Sequence, residues 1–189
     1  LSTAQLAALT TAQAANLTAA QVGNLSATQV AGMETADVAA LTTAQLQAVT
    51  TAGVSGLSTA QVAALTTTQV GAIETQDIEV LKTQQTQAFT TQQVNLGLTT
   101  DQVVALTASQ TANLLVSQVV ALSTDQFAAL ETVDFSSLKT AQIAALTTQQ
   151  IQSGLTTDQV AALTTLQVQG LTTAQAVALQ SEQLAALET

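Results

Sequence analysis

The stretch Leu155-Thr156-Thr157-Asp158-Gln159-Val160-Ala161-Ala162 is one copy of an octapeptide that recurs along all 189 residues. Counted from Leu1, the chain contains twenty-three full units of the form L-[ST]-T-x-Q-[VIL]-x-[AGN], followed by a fragment. The residues of each unit are numbered here as positions 1 to 8. Two units, 89–97 and 146–154, carry one extra residue and end in Gly97 and Gly154. A fixed short period is typical of a solenoid, because each unit needs its neighbours to bury its apolar side chains.

Each octad has the pattern of a short helix. Ser or Thr at position 2 precedes Gln at position 5 by three residues, as in Thr42 and Gln45, and this spacing is a capping box. Where position 2 has no hydroxyl, as at Glu34 and Lys82, position 3 keeps one, which predicts a cap shifted by one residue. A strand would place the apolar positions 1 and 6 on opposite faces. The sequence therefore predicts an all-α solenoid, a superhelical coil of very short helices.

The apolar pattern also requires each helix to stop. Positions 1 and 6 give an average apolar period of four residues, whereas a helix has about 3.6 residues per turn. Position 8 is often Asn or Gly, as at Asn16 and Gly32, which predicts a corner there in the left-handed conformation. We expect the Leu and Val positions to lie inside the coil and the Thr, Ser and Gln positions outside.

A second, longer period runs through the chain. Residues 65–121 and 122–178 form two units of 57 residues, and residues 25–64 look like a shortened copy. The residues that recur at this spacing are Glu74 and Glu131, Asp77 and Asp134, Lys82 and Lys139, and Gly97 and Gly154. No linker or shift in composition interrupts residues 1–189. We therefore expect one continuous repeat solenoid, and the ends of the chain in mid-array suggest an excerpt of a longer array.

The composition leaves little for catalysis. The chain has no His and no Cys, so its many Ser and Thr hydroxyls have no base to activate them as nucleophiles. Its net charge of −10 opposes binding to nucleic acid or to anionic membrane surfaces. No apolar run reaches the length of a membrane span. These features predict a protein that is not an enzyme, has no cofactor, binds no nucleic acid and does not insert into a membrane.

Three units contain an E-T-x-D motif in which Asp replaces Gln at position 5. The candidate calcium ligands are Glu34, Asp37, Glu74, Asp77, Glu131 and Asp134. Two carboxylates per unit are few for calcium, which takes six to eight oxygen ligands. The sequence therefore favours a cap shifted to position 3, with Asp in the first helical turn, and no metal. Lys82 and Lys139, one octad further on, are predicted to pair with the preceding Glu.

The whole chain resembles the tandem L-T-T-x-Q-V-x-A-L tracts of very large bacterial surface exoproteins and adhesin-like proteins. The resemblance implies an extracellular or cell-surface location and a structural or adhesive role, as a spacer, stalk or filament body. Its expected partners are the neighbouring repeats and other copies of the same chain. The alternative is a binding module, in which a regular Thr/Ser/Gln face recognises a polysaccharide, a surface or ice.

Overall fold

The computed structural model describes residues 1–187; Glu188 and Thr189, which follow Leu187 in the closing fragment, lie outside the described residues. Residues 1–187 form short helices joined by tight corners and contain no strand, which confirms the predicted all-α solenoid. The chain divides into two compact units, Leu1–Leu98 and Thr99–Thr189. The 57-residue units at 65–121 and 122–178 stay a prediction from the sequence.

Each octad contributes one helix of five to seven residues, and each nine-residue unit contributes a π-helical turn. The first unit contains α1 (Thr3–Ala7), α2 (Thr11–Ala15), α3 (Ala19–Gly23), α4 (Ala27–Ala31), α5 (Thr35–Ala40), α6 (Thr43–Ala48), α7 (Thr51–Gly56), α8 (Thr59–Ala64), α9 (Thr67–Gly71), α10 (Thr75–Glu79), α11 (Thr83–Ala88) and π1 (Gln93–Gly97). The second contains α12 (Thr100–Val104), α13 (Ala108–Ala112), α14 (Val116–Ala121), α15 (Thr124–Ala128), α16 (Thr132–Ser136), α17 (Thr140–Ala144), π2 (Gln150–Gly154), α18 (Thr157–Ala161), α19 (Thr165–Gln169), α20 (Thr173–Ala178) and α21 (Ser181–Leu187).

The predicted capping boxes start these helices. At α8, the Gln61 N–H donates to Ser58 Oγ at 3.2 Å and the Ser58 N–H donates to Gln61 Oε1 at 2.7 Å.

The predicted shift of the cap to position 3 is wrong. Lys82 is still the N-cap of α11, and the Gln85 N–H donates instead to the Lys82 carbonyl at 2.8 Å. That backbone bond satisfies the free N–H, so no hydroxyl is needed and the helix start stays in place.

The predicted left-handed corner at position 8 is also wrong. No residue among 1–187 has a positive φ, and Asn16 lies at φ −95°, ψ 1°. The chain turns instead through two extended residues at positions 1 and 2, as at Leu41 (φ −60°, ψ 140°) and Thr42 (φ −69°, ψ 160°). The Leu41 N–H donates to the Val38 carbonyl at 3.2 Å, which closes the helix three residues back.

Asn and Gly occur at position 8 for reasons other than backbone conformation. The Asn16 side-chain amide donates to the Ala12 carbonyl at 2.7 Å and so satisfies an acceptor at the end of its helix. Glycine gives close packing between coils. A β-carbon at Gly56 would lie 2.7 Å from the carbonyl oxygen of Ala27, a distance too short for any side chain.

The extra residue of each nine-residue unit is absorbed by its π-helical turn. In π1, the Leu98 N–H donates to the Gln93 carbonyl at 2.9 Å, five residues back rather than three. Gly97 is buried, and a β-carbon there would lie 3.1 Å from the Val70 side chain. A π-bulge adds one residue without ending a helix. The next octad therefore begins with Leu98 buried, like the position-1 residues from Leu25 onwards.

Within each unit the helices stack in a repeating order. Each helix packs against the third one after it, as α2 does on α5 and α15 on π2. Positions 1 and 6 fill the interior between the stacked helices, as predicted, and many of these side chains are fully buried. The largest are Phe127 and Phe135, whose rings meet edge to face with centroids 5.9 Å apart.

Candidate functional site

From Gln45 onwards the position-5 glutamines are buried, which contradicts the expectation that Gln would lie on the outside of the coil. Gln61, Gln102 and Gln159 are each 1–2% exposed, as buried as the apolar core. A buried amide must have its hydrogen bonds satisfied, because an unpaired polar group in the interior is unfavourable. These side chains therefore have partners that the sequence pattern alone did not reveal.

Gln61 shows how a buried glutamine bonds to two parts of the fold at once. In Gln61, Oε1 accepts the Ser58 N–H of its own helix cap, while Nε2 donates to the carbonyls of Val30 at 2.9 Å and Met33 at 2.8 Å. Val30 is position 6 of the fourth octad back, and Met33 is the position 1 that follows it. One side chain thus caps its own helix and joins that helix to the preceding coil.

We call this set of contacts the glutamine ladder. Its members share an Nε2 bond to a backbone carbonyl 28 or 29 residues earlier; they include Gln29, Gln45, Gln61, Gln69, Gln85 and Gln93 in the first unit and Gln142, Gln150, Gln159, Gln167, Gln175 and Gln183 in the second. Because helices stack three octads apart and the ladder reaches back to the fourth octad, one turn of the coil takes between three and four octads.

From Gln45 onwards the ladder pairs each glutamine with the fourth octad before it, whatever the number of residues between them. At the first residue of π2, Gln150 donates to the Val119 carbonyl, 31 residues earlier, and after π2, Gln159 donates to the Phe127 carbonyl, 32 residues earlier. The separation grows by the one residue that π2 inserts. The extra residue therefore leaves the pairing of successive coils intact.

Asp replaces Gln at three of these positions, and we call Asp37, Asp77 and Asp134 the aspartate rungs. All three are 2–4% exposed, so the E-T-x-D motif places its Asp in the interior and its Glu on the surface. Asp37 Oδ2 and Asp77 Oδ1 are buried without a hydrogen-bond partner. A carboxylate has no N–H to donate, so it cannot make the ladder contact that a glutamine makes.

The buried carboxyls of two rungs are hard to ionise. Burial, and then the negative charge of Glu131, raise the pKa of Asp134 to about 6. Burial also raises the pKa of Asp77, where a hydrogen bond from the Thr51 side chain lowers it in part and Glu74 adds a smaller upward effect. Thr51 lies 26 residues before Asp77, and the residue 26 before Asp134 is Ala108, which has no hydroxyl.

The six calcium candidates gain no further carboxylate from a neighbouring coil. Among residues 1–187, no group of three or more His, Cys, Asp or Glu side chains could hold a metal ion. Each Asp lies in the first turn of its helix, as predicted, while each Glu is the N-cap without a side-chain cap bond. The fold therefore uses these residues at helix starts.

The predicted pairing of Lys139 with the preceding Glu is not what the fold shows. Lys139 Nζ lies 3.3 Å from Asn113 Oδ1, on the octad that ends one coil earlier. The side chain therefore lies across the stack rather than along the chain.

One cavity, of about 580 Å³, opens in the first unit beside Leu1, Leu9 and Leu17. Its polar lining comes from side chains that include Gln13 and Gln21, which are exposed here. These Leu and Gln residues occupy positions 1 and 5 of their octads, which contacts between coils bury further along the chain. The cavity is therefore part of the repeat interface and shows no cluster of catalytic groups.

The sequence contained one signal for the ladder, which is the preference for Gln over Glu at position 5. A capping box accepts Glu as readily as Gln at position 5, yet the chain has Gln at nineteen of twenty-three such positions and Glu at none. Only an amide can accept with one atom and donate with another. A preference for Gln over Glu thus indicates a second partner that is itself an acceptor.

The fold and the ladder define an octad-repeat α-solenoid. None of the described helices is long and apolar enough to cross a membrane. The chain belongs to the ALTTAQ repeat family, which matches residues 30–67, 70–108 and 127–165, more than half of its length. Comparison with curated proteins and with solved structures found no match.

Proposed function

We propose that this chain is a structural repeat region, without catalytic activity, that serves as the spacer, stalk or filament body of an extracellular bacterial surface protein. The observation that carries the proposal is the glutamine ladder. In both units the recurrent side chains of the octad, its apolar positions 1 and 6 and its Gln, are used for contacts with neighbouring repeats. An octad used in this way builds length and leaves few side chains for chemistry.

The surface location and the adhesive context rest on the resemblance to tandem tracts of surface exoproteins, and membership of a tandem-repeat family supports a structural role. The alternative function needs an exposed face of Thr, Ser and Gln, but the ladder glutamines from Gln45 onwards are buried and cannot contribute to it. Position-2 hydroxyls such as Ser58 Oγ are moreover used to accept helix N–H groups. The spacer is therefore the function that the geometry supports best.

A spacer must lengthen in proportion to its number of octads. Joining two copies of residues 1–186 in tandem keeps the octad register, so the maximum dimension in small-angle X-ray scattering should roughly double while the cross-section stays constant. A matched chain with one residue deleted at the junction should lengthen less regularly. In intact bacterial cells, an antibody against the array should bind without permeabilisation.

Either of two results would contradict this proposal. A tandem chain that folds back on itself, with an unchanged maximum dimension, would remove the spacer role. Antibody binding that requires permeabilised cells would remove the surface location.

A further inference from the structure

Asp77 and Asp134 lie opposite backbone carbonyls of the preceding coil, and Asp77 has in addition a hydrogen bond from the Thr51 side chain. One octad after Asp77, Gln85 donates to the carbonyls of Val54 at 3.0 Å and Leu57 at 2.8 Å. The same register, moved back by one octad, directs Asp77 towards the carbonyls of Leu46 and Val49. An ionised carboxylate cannot bond to a carbonyl, because both groups are acceptors.

Asp134 has the same position in the second unit. Its neighbour Gln142 donates to the Leu114 carbonyl at 2.7 Å, so the register directs Asp134 towards the carbonyls of Val103 and Leu106. Asp134 is 4% exposed as a whole residue, so water has little access to replace the missing donor. Both rungs thus combine burial with a contact that the ionised form cannot make.

We propose that Asp77 and Asp134 are proton-operated rungs of the ladder, which join successive coils when protonated and release them locally when ionised. On protonation, the carboxyl takes one proton from solvent and its O–H donates to the preceding coil, as a glutamine amide does. On ionisation, the proton returns to solvent, and the carboxylate oxygens then face the backbone carbonyl oxygens of the preceding coil without a hydrogen between them. The array then contains defined points at which a rise in pH loosens the stack.

The charges around each rung agree with this role. Helix α10 packs against α7, whose residues carry no titratable group, and the charges near Asp77 on its own octad are the acidic Glu74 and Glu79. Helix α16 packs against α13, which has no titratable group, and against α18, whose Asp158 is exposed. On its own octad Asp134 follows Glu131.

The only basic side chain near α16, Lys139 of the next octad, lies with its Nζ 3.3 Å from Asn113 Oδ1. It is exposed, whereas the carboxyl of Asp134 is buried. Lys82, in the octad after Asp77, has the same position and is also exposed. Apart from these two lysines the surroundings of both rungs are neutral or acidic, which favours a protonated carboxyl.

The direction of the pH effect follows from the pKa shifts. An Asp in an unfolded chain has a pKa of about 3.9, and the fold raises the pKa of Asp134 to about 6 and that of Asp77 in the same direction. The folded state therefore binds more protons than the unfolded state between these values. Its stability is greatest at acidic pH and falls as pH rises from about 4 through about 6.

The test compares thermal unfolding of three chains from pH 4.5 to 7.5. The double variant Asp77→Asn/Asp134→Asn supplies an amide donor at every pH, and the control Asp101→Asn/Asp158→Asn removes two exposed charges instead. We expect the Tm of the unaltered chain and of the control to fall by several degrees as pH rises. The Tm of the double variant should stay nearly constant and exceed that of the unaltered chain at pH 7.5.

Direct titration of the unaltered chain keeps the proposal testable even if the double variant does not fold. The carboxyl carbon of Asp134, followed by NMR, should titrate with a midpoint near 6. A midpoint near 4, or a double variant whose Tm falls with pH as the unaltered chain's does, would overturn the proposal. So would a Tm at pH 7.5 that rises with calcium and loses this rise in the double variant, because a cation would then occupy the rungs.

Discussion

Replacing Gln93 with alanine is expected to lower the free energy of unfolding by about 2–6 kcal/mol, because it removes the side-chain partner of two backbone groups, at about 1–3 kcal/mol each. Those groups are the Thr90 N–H, which now donates to Gln93 Oε1 at 2.7 Å, and the Leu65 carbonyl, which accepts from Nε2 at 2.6 Å. The adjacent Gln92 is exposed, so Gln92→Ala should change stability by less than about 0.5 kcal/mol. Urea unfolding followed by circular dichroism measures both.

The variant Gln93→Glu separates the two roles of the side chain. Glutamate keeps the oxygen that accepts the Thr90 N–H, so a residue that only caps its helix would tolerate the change. It loses the Nε2 donor to Val62 and Leu65 of the preceding coil and places a charge in the interior. We expect Gln93→Glu at pH 7 to destabilise at least as much as Gln93→Ala. A neutral effect would mean that the glutamines only cap helices.

Removing the aromatic ring at the centre of the second unit should have an effect of similar size. Phe127 and Phe135 are both fully buried and meet edge to face. Phe127→Ala is expected to lower the free energy of unfolding by about 3–5 kcal/mol, since it removes buried apolar contacts and leaves a cavity. Val133, on the same helix as Phe135, is 59% exposed, so Val133→Ala should have little effect. Equal sensitivity at the two sites would contradict the assignment of an inside and an outside.

Local pattern was enough to predict the helices of this fold. The capping box at Ser58 and Gln61 and the apolar residues at positions 1 and 6 depend on contacts within one octad or between adjacent octads. Such contacts are visible in a single unit. The sequence therefore predicted the helical class, the shortness of the helices and the apolar interior correctly.

The features that the sequence analysis missed depend on contacts between coils. Gln61 lies inside because acceptors 28 and 31 residues earlier bind its amide, and Gly56 is small because Ala27, 29 residues earlier, lies against it. Neither partner can be identified before the number of octads per turn is known. The same holds for the candidate site, where the sequence selected Asp77 but could not show that its carboxyl is buried.

The register in which successive coils pair is the central claim, and NMR of the unaltered chain tests it most directly. Gln61 Nε2 lies 2.9 Å from the carbonyl oxygen of Val30 and 2.8 Å from that of Met33. Scalar coupling across these hydrogen bonds should therefore link the Gln61 side-chain amide nitrogen to the carbonyl carbons of Val30 and Met33. The carbonyl carbons of Val38 and Leu41, one octad later, should show no such coupling. Coupling to that displaced pair instead would show that the coils pair in a different register and would contradict the ladder.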